Sequence, residues 1–194
     1  FNQGKTDYNF VYDNAKLYSV KDWKQAQAQG KPWFGQIQLK GGKNGKASLT
    51  NKTPITPEEV TVPPYYPDHP DFREMIADHY ACVLGTDKTV GGILDKLKAD
   101  GLLENTIVFF FSDHGMPGGL RHKQFCYEGG IHIPLLIRWP KNFPVTKPGL
   151  AIEDLVSTID VSVTSMALAG LPIPAHMEGR DVFAKDYKPR RYVI

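Results

Sequence analysis

Apolar residues recur along this chain with two different periods, and the switch between them outlines an α/β alternation. From Asp71 to Asp100, Ile76, Tyr80, Val83, Val90, Leu94 and Leu97 fall at three-, four- and seven-residue spacings, which predicts a long helix with one apolar face. Gly91 and Gly92 are expected to weaken or kink it, and Gly101 to end it. Thr106 to Ser112 is instead a continuous apolar run, the pattern of a central parallel strand covered on both faces. Ile131 to Trp139 predicts a further strand, with Pro134 placing it at an edge or marking its start. Asp154 to Ala169 predicts an amphipathic helix stopped by Gly170. Upstream, Pro32 to Leu39 is aromatic and β-branched enough for a strand, and a short helix before it is expected to be capped within Ser19 to Asp22 and ended by Gly30.

Neither period holds between Lys40 and Pro70, a loop that starts basic and Gly-rich (Lys40, Lys43, Lys46) and ends Pro-rich. A loop this long in a compact chain is usually functional. With 194 residues, 41% apolar and 23% charged, the chain can bury a sizeable core and is not disordered. A net charge of +2 is no nucleic-acid footprint, and runs such as Ile107 to Phe111 are too short to span a bilayer. Cys82 and Cys126 lack zinc-site spacing and cannot make a disulfide scaffold, while their pairing stays open. The chain opens on Phe1-Asn2-Gln3 and closes on Arg190 to Ile194, which reads like a strand beginning. Residues 1–194 are therefore expected to be an internal piece of a longer protein, one partial domain.

Ligands of open α/β sheets bind at the carboxyl ends of strands. Asp113 and His114 stand there, directly after the most apolar strand. A carboxylate followed by an imidazole can supply two metal ligands or an acid/base pair; the plainer alternative is a turn Asp that caps the next segment, with His114 a bystander. Arg121-His122-Lys123 and Tyr127-Glu128-Gly129-Gly130 follow on the same connection. Cations beside a hard metal site suit an anionic oxyester, although a short basic run is often only a solvated turn. Gly41 to Lys46 lacks phosphate-loop spacing, and there is no G-x-S-x-G or H-E-x-x-H. His69, His79, His132 and His176 are scattered and read as structural or exposed, and Asp87 as a hydrogen-bonded structural carboxylate.

Asn105-Thr-Ile-Val-Phe-Phe-Phe-Ser-Asp-His-Gly115, with Lys123-Gln-Phe-Cys-Tyr-Glu-Gly-Gly-Ile-His-Ile-Pro134, strongly resembles the type I (formylglycine-dependent) sulfatases of the alkaline phosphatase superfamily. Asp87 to Gly101 is similar to the helix before the metal-binding strand of that family, Leu155 to Gly170 to the helix after it, and Gly4-Lys5-Thr6-Asp7 to its Gly-Lys-x-His segment. The resemblance implies an α/β fold, part of a mixed, mainly parallel sheet flanked by helices. It implies that Asp113 and His114 are two ligands of a divalent ion, calcium, that Lys123 contacts the sulfate and the bridging oxygen, and that Lys5 lies near nucleophile and sulfate. The activity implied is hydrolysis of sulfate esters or sulfamates by a hydrated formylglycine.

Three departures qualify the likeness. The Cys-x-Pro-x-Arg segment that yields formylglycine and the paired-aspartate strand that completes the metal site do not occur in these residues and are expected upstream of Lys5. Asp7 stands where the family has the His of Gly-Lys-x-His. Lys40-Gly-Gly-Lys43 replaces a His-containing segment, so Lys40 and Lys43, with Arg121 and His122, are expected to bind the anionic substrate. A phosphodiesterase or phosphatase of the same superfamily, or a non-catalytic binder of sulfated glycans, are the alternatives. The implied partner is a sulfated small molecule or glycan, and a truncated sheet is expected to be covered by a missing segment or by oligomerisation. Members of the family are mostly exported or lysosomal.

Overall fold

The helical period of residues 71–100 produces one uninterrupted helix, the longest element of the molecule. A computed structural model describes residues 1–6, 8–43, 55–141, 143 and 149–193. In chain order its elements are β1 (Asn2–Gln3), α1 (Asn14–Leu17), α2 (Trp23–Ala28), β2 (Gln36–Ile37), α3 (Pro70–Ala99), β3 (Val108–Phe111), α4 (Glu128–Ile131), β4 (Leu135–Arg138) and α5 (Thr158–Leu168). They belong to two compact units. One comprises Asn2–Tyr12 and Gln36–Val145; the other comprises Phe1, Asp13–Gly35 and Thr146–Ile194.

In the first unit α3 starts where Pro70 follows His69, whose Nδ1 accepts the Asp71 N–H at 3.3 Å. It ends at Gly101, whose φ of +71° lets the Leu102 N–H return to the Leu97 carbonyl at 2.8 Å. Ile76, Ala77, Ala81, Cys82 and Leu97 are buried, whereas Tyr80 and Val83 are exposed. The helix runs unbroken through Gly91 and Gly92, the two positions expected to weaken or kink it. A Cβ at either position would meet nothing within 4 Å. Gly91→Ala and Gly92→Ala together should therefore raise the unfolding free energy by about 1–2 kcal/mol, read by chemical denaturation.

The second half of the long loop is not loose. Val60 is buried with Ile76 and Ala77, and Ile55, Val62 and Met75 pack around them. Arg73 of α3 grips Asp68 through Nε at 2.5 Å and Nη2 at 2.8 Å, and its Nη1 donates to the Pro57 carbonyl at 3.1 Å. Residues 55–69 are thereby tied to the helix.

Strand pairing differs in part from expectation. β1 and β2 are parallel, Asn2 opposite Gln36 and Gln3 opposite Ile37. β3, expected in a parallel ladder, pairs antiparallel with β4, from Val108 opposite Arg138 to Phe111 opposite Leu135. A parallel return needs a long crossover, usually a full helix. The connection here carries only the single turn α4, and the chain doubles back instead. That turn occupies the start of the expected Ile131–Trp139 strand, and Pro134 stands just before β4 begins. The apolar run is half-buried rather than covered on both faces, with Phe111 and Leu136 exposed. Arg138 ties the pair to the preceding turn, donating to Glu104 at 2.7 Å and to the Leu103 carbonyl at 2.8 Å.

In the second unit α2 is capped by Asp22, whose Oδ1 accepts the Gln25 N–H at 2.9 Å. Phe1 is buried beside the Trp23 and Trp33 rings, at centroid distances of 6.3 and 5.7 Å. α5 begins at a Ser157–Asp160 capping box, four residues later than the apolar pattern suggested. Cys82 is buried and Cys126 exposed, and no disulfide joins them. Among the described residues no helix is long and apolar enough to cross a membrane.

Candidate active site

β3 delivers Asp113 and His114 to its carboxyl end as expected, and the local hydrogen bonds fix the imidazole. The Ser112 hydroxyl donates to the His114 carbonyl at 2.7 Å, and His114 Nδ1 lies 2.7 Å from the Gly115 carbonyl. A carbonyl only accepts, so Nδ1 carries a proton, and in the neutral ring Nε2 presents a lone pair. That Nε2 is buried without a hydrogen-bond partner, 3.6 Å from Asp113 Oδ2. In the neutral ring these two lone-pair atoms are spaced to share a cation. Oxygen ligands of calcium stand at about 2.3–2.6 Å, so neighbouring ligands are roughly 3.3–3.7 Å apart. The pair therefore fits two positions of a hard divalent site. Among the described residues no group of three His, Cys, Asp or Glu side chains gathers to complete one.

The two motifs read as neighbours in sequence are brought into backbone contact. The Gly115 N–H donates to the Gly130 carbonyl at 3.0 Å, and a Cβ on Gly115 would lie 1.7 Å from the Gly129 oxygen. On the other side of Gly130 run the His122 and Phe125 carbonyls, 2.5 and 2.2 Å from where its Cβ would be. The Lys123 N–H closes the turn onto the Met116 carbonyl at 3.3 Å. Gly115, Gly129 and Gly130 are thus the thin point at which the Asp113-His114 loop and the Lys123 turn meet.

Aromatic residues from the long loop complete this wall. Tyr65 bonds His122 Nε2 at 3.2 Å, and the Arg121 guanidinium lies over the Tyr65 and Tyr127 rings at 5.4 and 5.2 Å. Tyr66 is buried and donates to the Leu120 carbonyl at 3.4 Å; burial pushes its hydroxyl pKa up. Arg121, half-buried Lys123, Tyr65 and Phe125 line one open cavity of about 540 Å³.

The other expected residues fall elsewhere. Lys5 and Lys40 lie just past β1 and β2, at the carboxyl end of the parallel pair, and both are exposed. The Lys5 N–H donates to Gln38 Oε1 at 2.8 Å, which holds the two connections together. Neither lysine lines the cavity of Lys123. Lys43 ends the 3₁₀ turn Gly41–Lys43, while its side chain, with Asp7 and Lys46, lies outside the described residues. Asp87 is exposed rather than a bonded structural carboxylate. His69 caps α3, His132 pairs with Glu128 at 2.7 Å, and His176 is exposed.

His79 is the residue that sequence reasoning passed over. Its ring lies against Gly42, 2.4 Å from where a Cβ would stand, and Nδ1 is buried without a partner. Burial lowers its pKa, and nearby His122 lowers it further. The signal was its place on α3, three residues after buried Ile76 and three before buried Cys82.

Helices, a parallel ladder and an antiparallel ladder, with a carboxylate–imidazole pair at a strand end, make this a mixed α/β protein. The family model described as Sulfatase matches residues 1–171, and the chain belongs to the sulfatase family. It is similar to an ulvan-active sulfatase of Formosa agariphila, 33% identical over 130 residues, 67% of this chain and 21% of that protein. Human arylsulfatase K is 34% identical over 113 residues, 56% of this chain and 20% of its own length. The crystal structure of the candidate sulfatase yidJ from Bacteroides fragilis superposes with a TM-score of 0.58 and 25% identity, covering 82% of this chain and 37% of that one. The chain thus spans about a fifth of these two relatives and 37% of the solved structure.

Proposed function

We propose that the protein carrying this chain hydrolyses sulfate monoesters, sulfamates included, and that this chain contributes two metal ligands and the cation that neutralises the leaving group. The observation that carries the reading is the buried Nε2 of His114, without a hydrogen-bond partner beside Asp113 Oδ2, on a loop that Gly115 holds against the Lys123 turn. Asp113 and His114 would hold a calcium ion, which when bound supplies charge stabilisation at the sulfate oxygens. Ser112 and the Gly115 carbonyl keep the His114 ring in the tautomer that leaves Nε2 available. Lys123, half-buried at the cavity wall, places an ammonium near the developing charge on the bridging oxygen and can hold a proton for the departing alcohol. Lys5 and Lys40, just past the parallel ladder, would supply further positive charge, and Tyr65 holds His122. The nucleophile, a formylglycine in this reading, comes from outside this chain.

In the full-length protein, an aryl sulfate should be hydrolysed in preference to the matching aryl phosphate. Lys123→Ala should lower kcat/KM for the sulfate by about 100-fold, the usual loss when one charge-stabilising donor is removed. A phosphate ester turned over faster than the sulfate would replace this reading with a phosphoryl-ester hydrolase, and an unchanged Lys123→Ala rate would remove Lys123 from the machinery.

A further inference from the structure

The Arg121 guanidinium lies over two aromatic rings. Arg73, Arg138 and Arg190 each grip a carboxylate, Asp68, Glu104 and Asp160 respectively. Among the described residues no carboxylate pairs with Arg121. Its guanidinium is held over Tyr65 and Tyr127 instead, and Tyr65 is itself anchored by His122. Stacking leaves the planar fork of N–H donors unoccupied while fixing where it points. The backbone at Arg121 has a φ of +59°, which glycine or asparagine would adopt more readily than a long side chain. Strain of this kind persists where surrounding contacts over-determine it, and here those contacts are the two rings.

The cavity that Arg121 shares with Lys123 is larger than one sulfate needs. At about 540 Å³ it lies within the range of roughly 300–1,000 Å³ typical of small-molecule sites. Tyr65 and Phe125 add aromatic surface to its lining. Lys123 is half-buried with its backbone bonded to Met116, whereas Arg121 is the outer, exposed cation. We infer that Arg121 is a specificity-determining residue that binds a second oxyanion of the substrate, a carboxylate or another sulfate beyond the scissile one, so that the substrate class is an acidic sulfated saccharide. This rests on the sulfatase reading above and adds to it which sulfate esters are preferred. A guanidinium suits either group, since both offer two coplanar oxygens to its fork.

The test uses the full-length protein with four compounds: p-nitrophenyl sulfate, a sulfated disaccharide bearing a hexuronic acid, its carboxyl methyl ester, and a disulfated neutral disaccharide. The wild type should favour the acidic disaccharide over its ester by about 10–100-fold in kcat/KM, the range set by a charged hydrogen-bonding pair. In Arg121→Asn, a residue suited to the positive φ, that ratio should collapse to within about threefold through KM, and Arg121→Lys should be intermediate. Preference for the disulfated sugar over the uronate would identify the second anion as sulfate, and the reverse as carboxylate. An equal loss on p-nitrophenyl sulfate and on the acidic disaccharide would place Arg121 on the scissile group and overturn the inference, as would an unchanged ratio. Calorimetric binding of the same sugars separates the two claims. If wild type hydrolyses none of them but Arg121→Asn selectively loses the acidic one, the sulfatase reading falls and the Arg121 assignment stands. If the wild type binds none, or both forms bind alike, the assignment falls.

Discussion

Gly115→Ala should abolish the candidate site and destabilise its unit by about 3 kcal/mol, at the upper end of what overpacking usually costs. The new methyl would lie 1.7 Å from the Gly129 oxygen, 2.8 Å from the Gly129 carbonyl carbon and 3.2 Å from Gly130 Cα. All three are backbone atoms, so no rotamer change relieves the clash and the two segments must part. Parting breaks the bond from the Gly115 N–H to the Gly130 carbonyl and shifts the carbonyl that orients His114. The metal-ligand pair would then lose its register with the Lys123 turn. Thermal unfolding of the full-length protein should show the destabilisation. Turnover of an aryl sulfate should fall by more than about 100-fold, since positional errors near 1 Å cost that much. Wild-type stability together with wild-type turnover would show that these glycines are not the point of contact.

Asp160→Ala should cost about 3–5 kcal/mol in the second unit, the range for removing one partner of a buried charge pair. Asp160 is fully inaccessible. Its two oxygens accept from Arg190 Nε at 2.9 Å and Nη2 at 2.5 Å, and from the backbone N–H groups of Ser157 and Arg180, both at 2.8 Å. Truncation would leave a guanidinium and two N–H groups without their acceptor. The same contacts set a pH dependence. Burial pushes the carboxyl pKa up, but the Arg190 hydrogen bonds and then the Ser157 and Arg180 N–H groups outweigh it and hold the value below the usual one. A lowered folded pKa means that the stabilisation is complete above the unfolded value, about 3.9, and is lost as pH falls through the folded value. Unfolding free energy should therefore be flat for this group from neutral pH down to about 5 and decline in acid. Asp160→Asn should remove that part of the acid decline, which urea titrations between pH 2 and 7 would resolve.

These two residues show how differently position and contact are encoded. Gly115 stands inside the most recognisable stretch of the chain, and its neighbour Gly130 closes the second motif, so their importance could be suspected from spacing. Asp160 carries no such mark. Its partner Arg190 is 30 residues away, and only the folded chain brings the two within hydrogen-bond distance. The same separation hid the aromatic bracket of Arg121, because Tyr65 lies in a Pro-rich loop with no readable pattern and reaches the turn only by docking of residues 55–69 on α3. His79 was discounted as one of several scattered histidines, although its phase on α3 matched Ile76 and Cys82.

The sequence by itself determined the features governed by local chemistry. The 3.6-residue period and the Pro70 and Gly101 boundaries specify α3, and the apolar run ending in Ser-Asp-His-Gly places a carboxylate and an imidazole at a strand end. The motif pair around Asp113 and Lys123 was enough to indicate the sulfatase family, to which residues 1–171 belong. Tertiary structure decided what depends on where distant segments return. It set the antiparallel pairing of β3 with β4, the burial of His114 Nε2, the cavity shared by Arg121 and Lys123, and the buried Asp160–Arg190 pair. Periodicity records which face of an element is apolar, but not which element covers it, and strand direction and side-chain partnership follow from the covering.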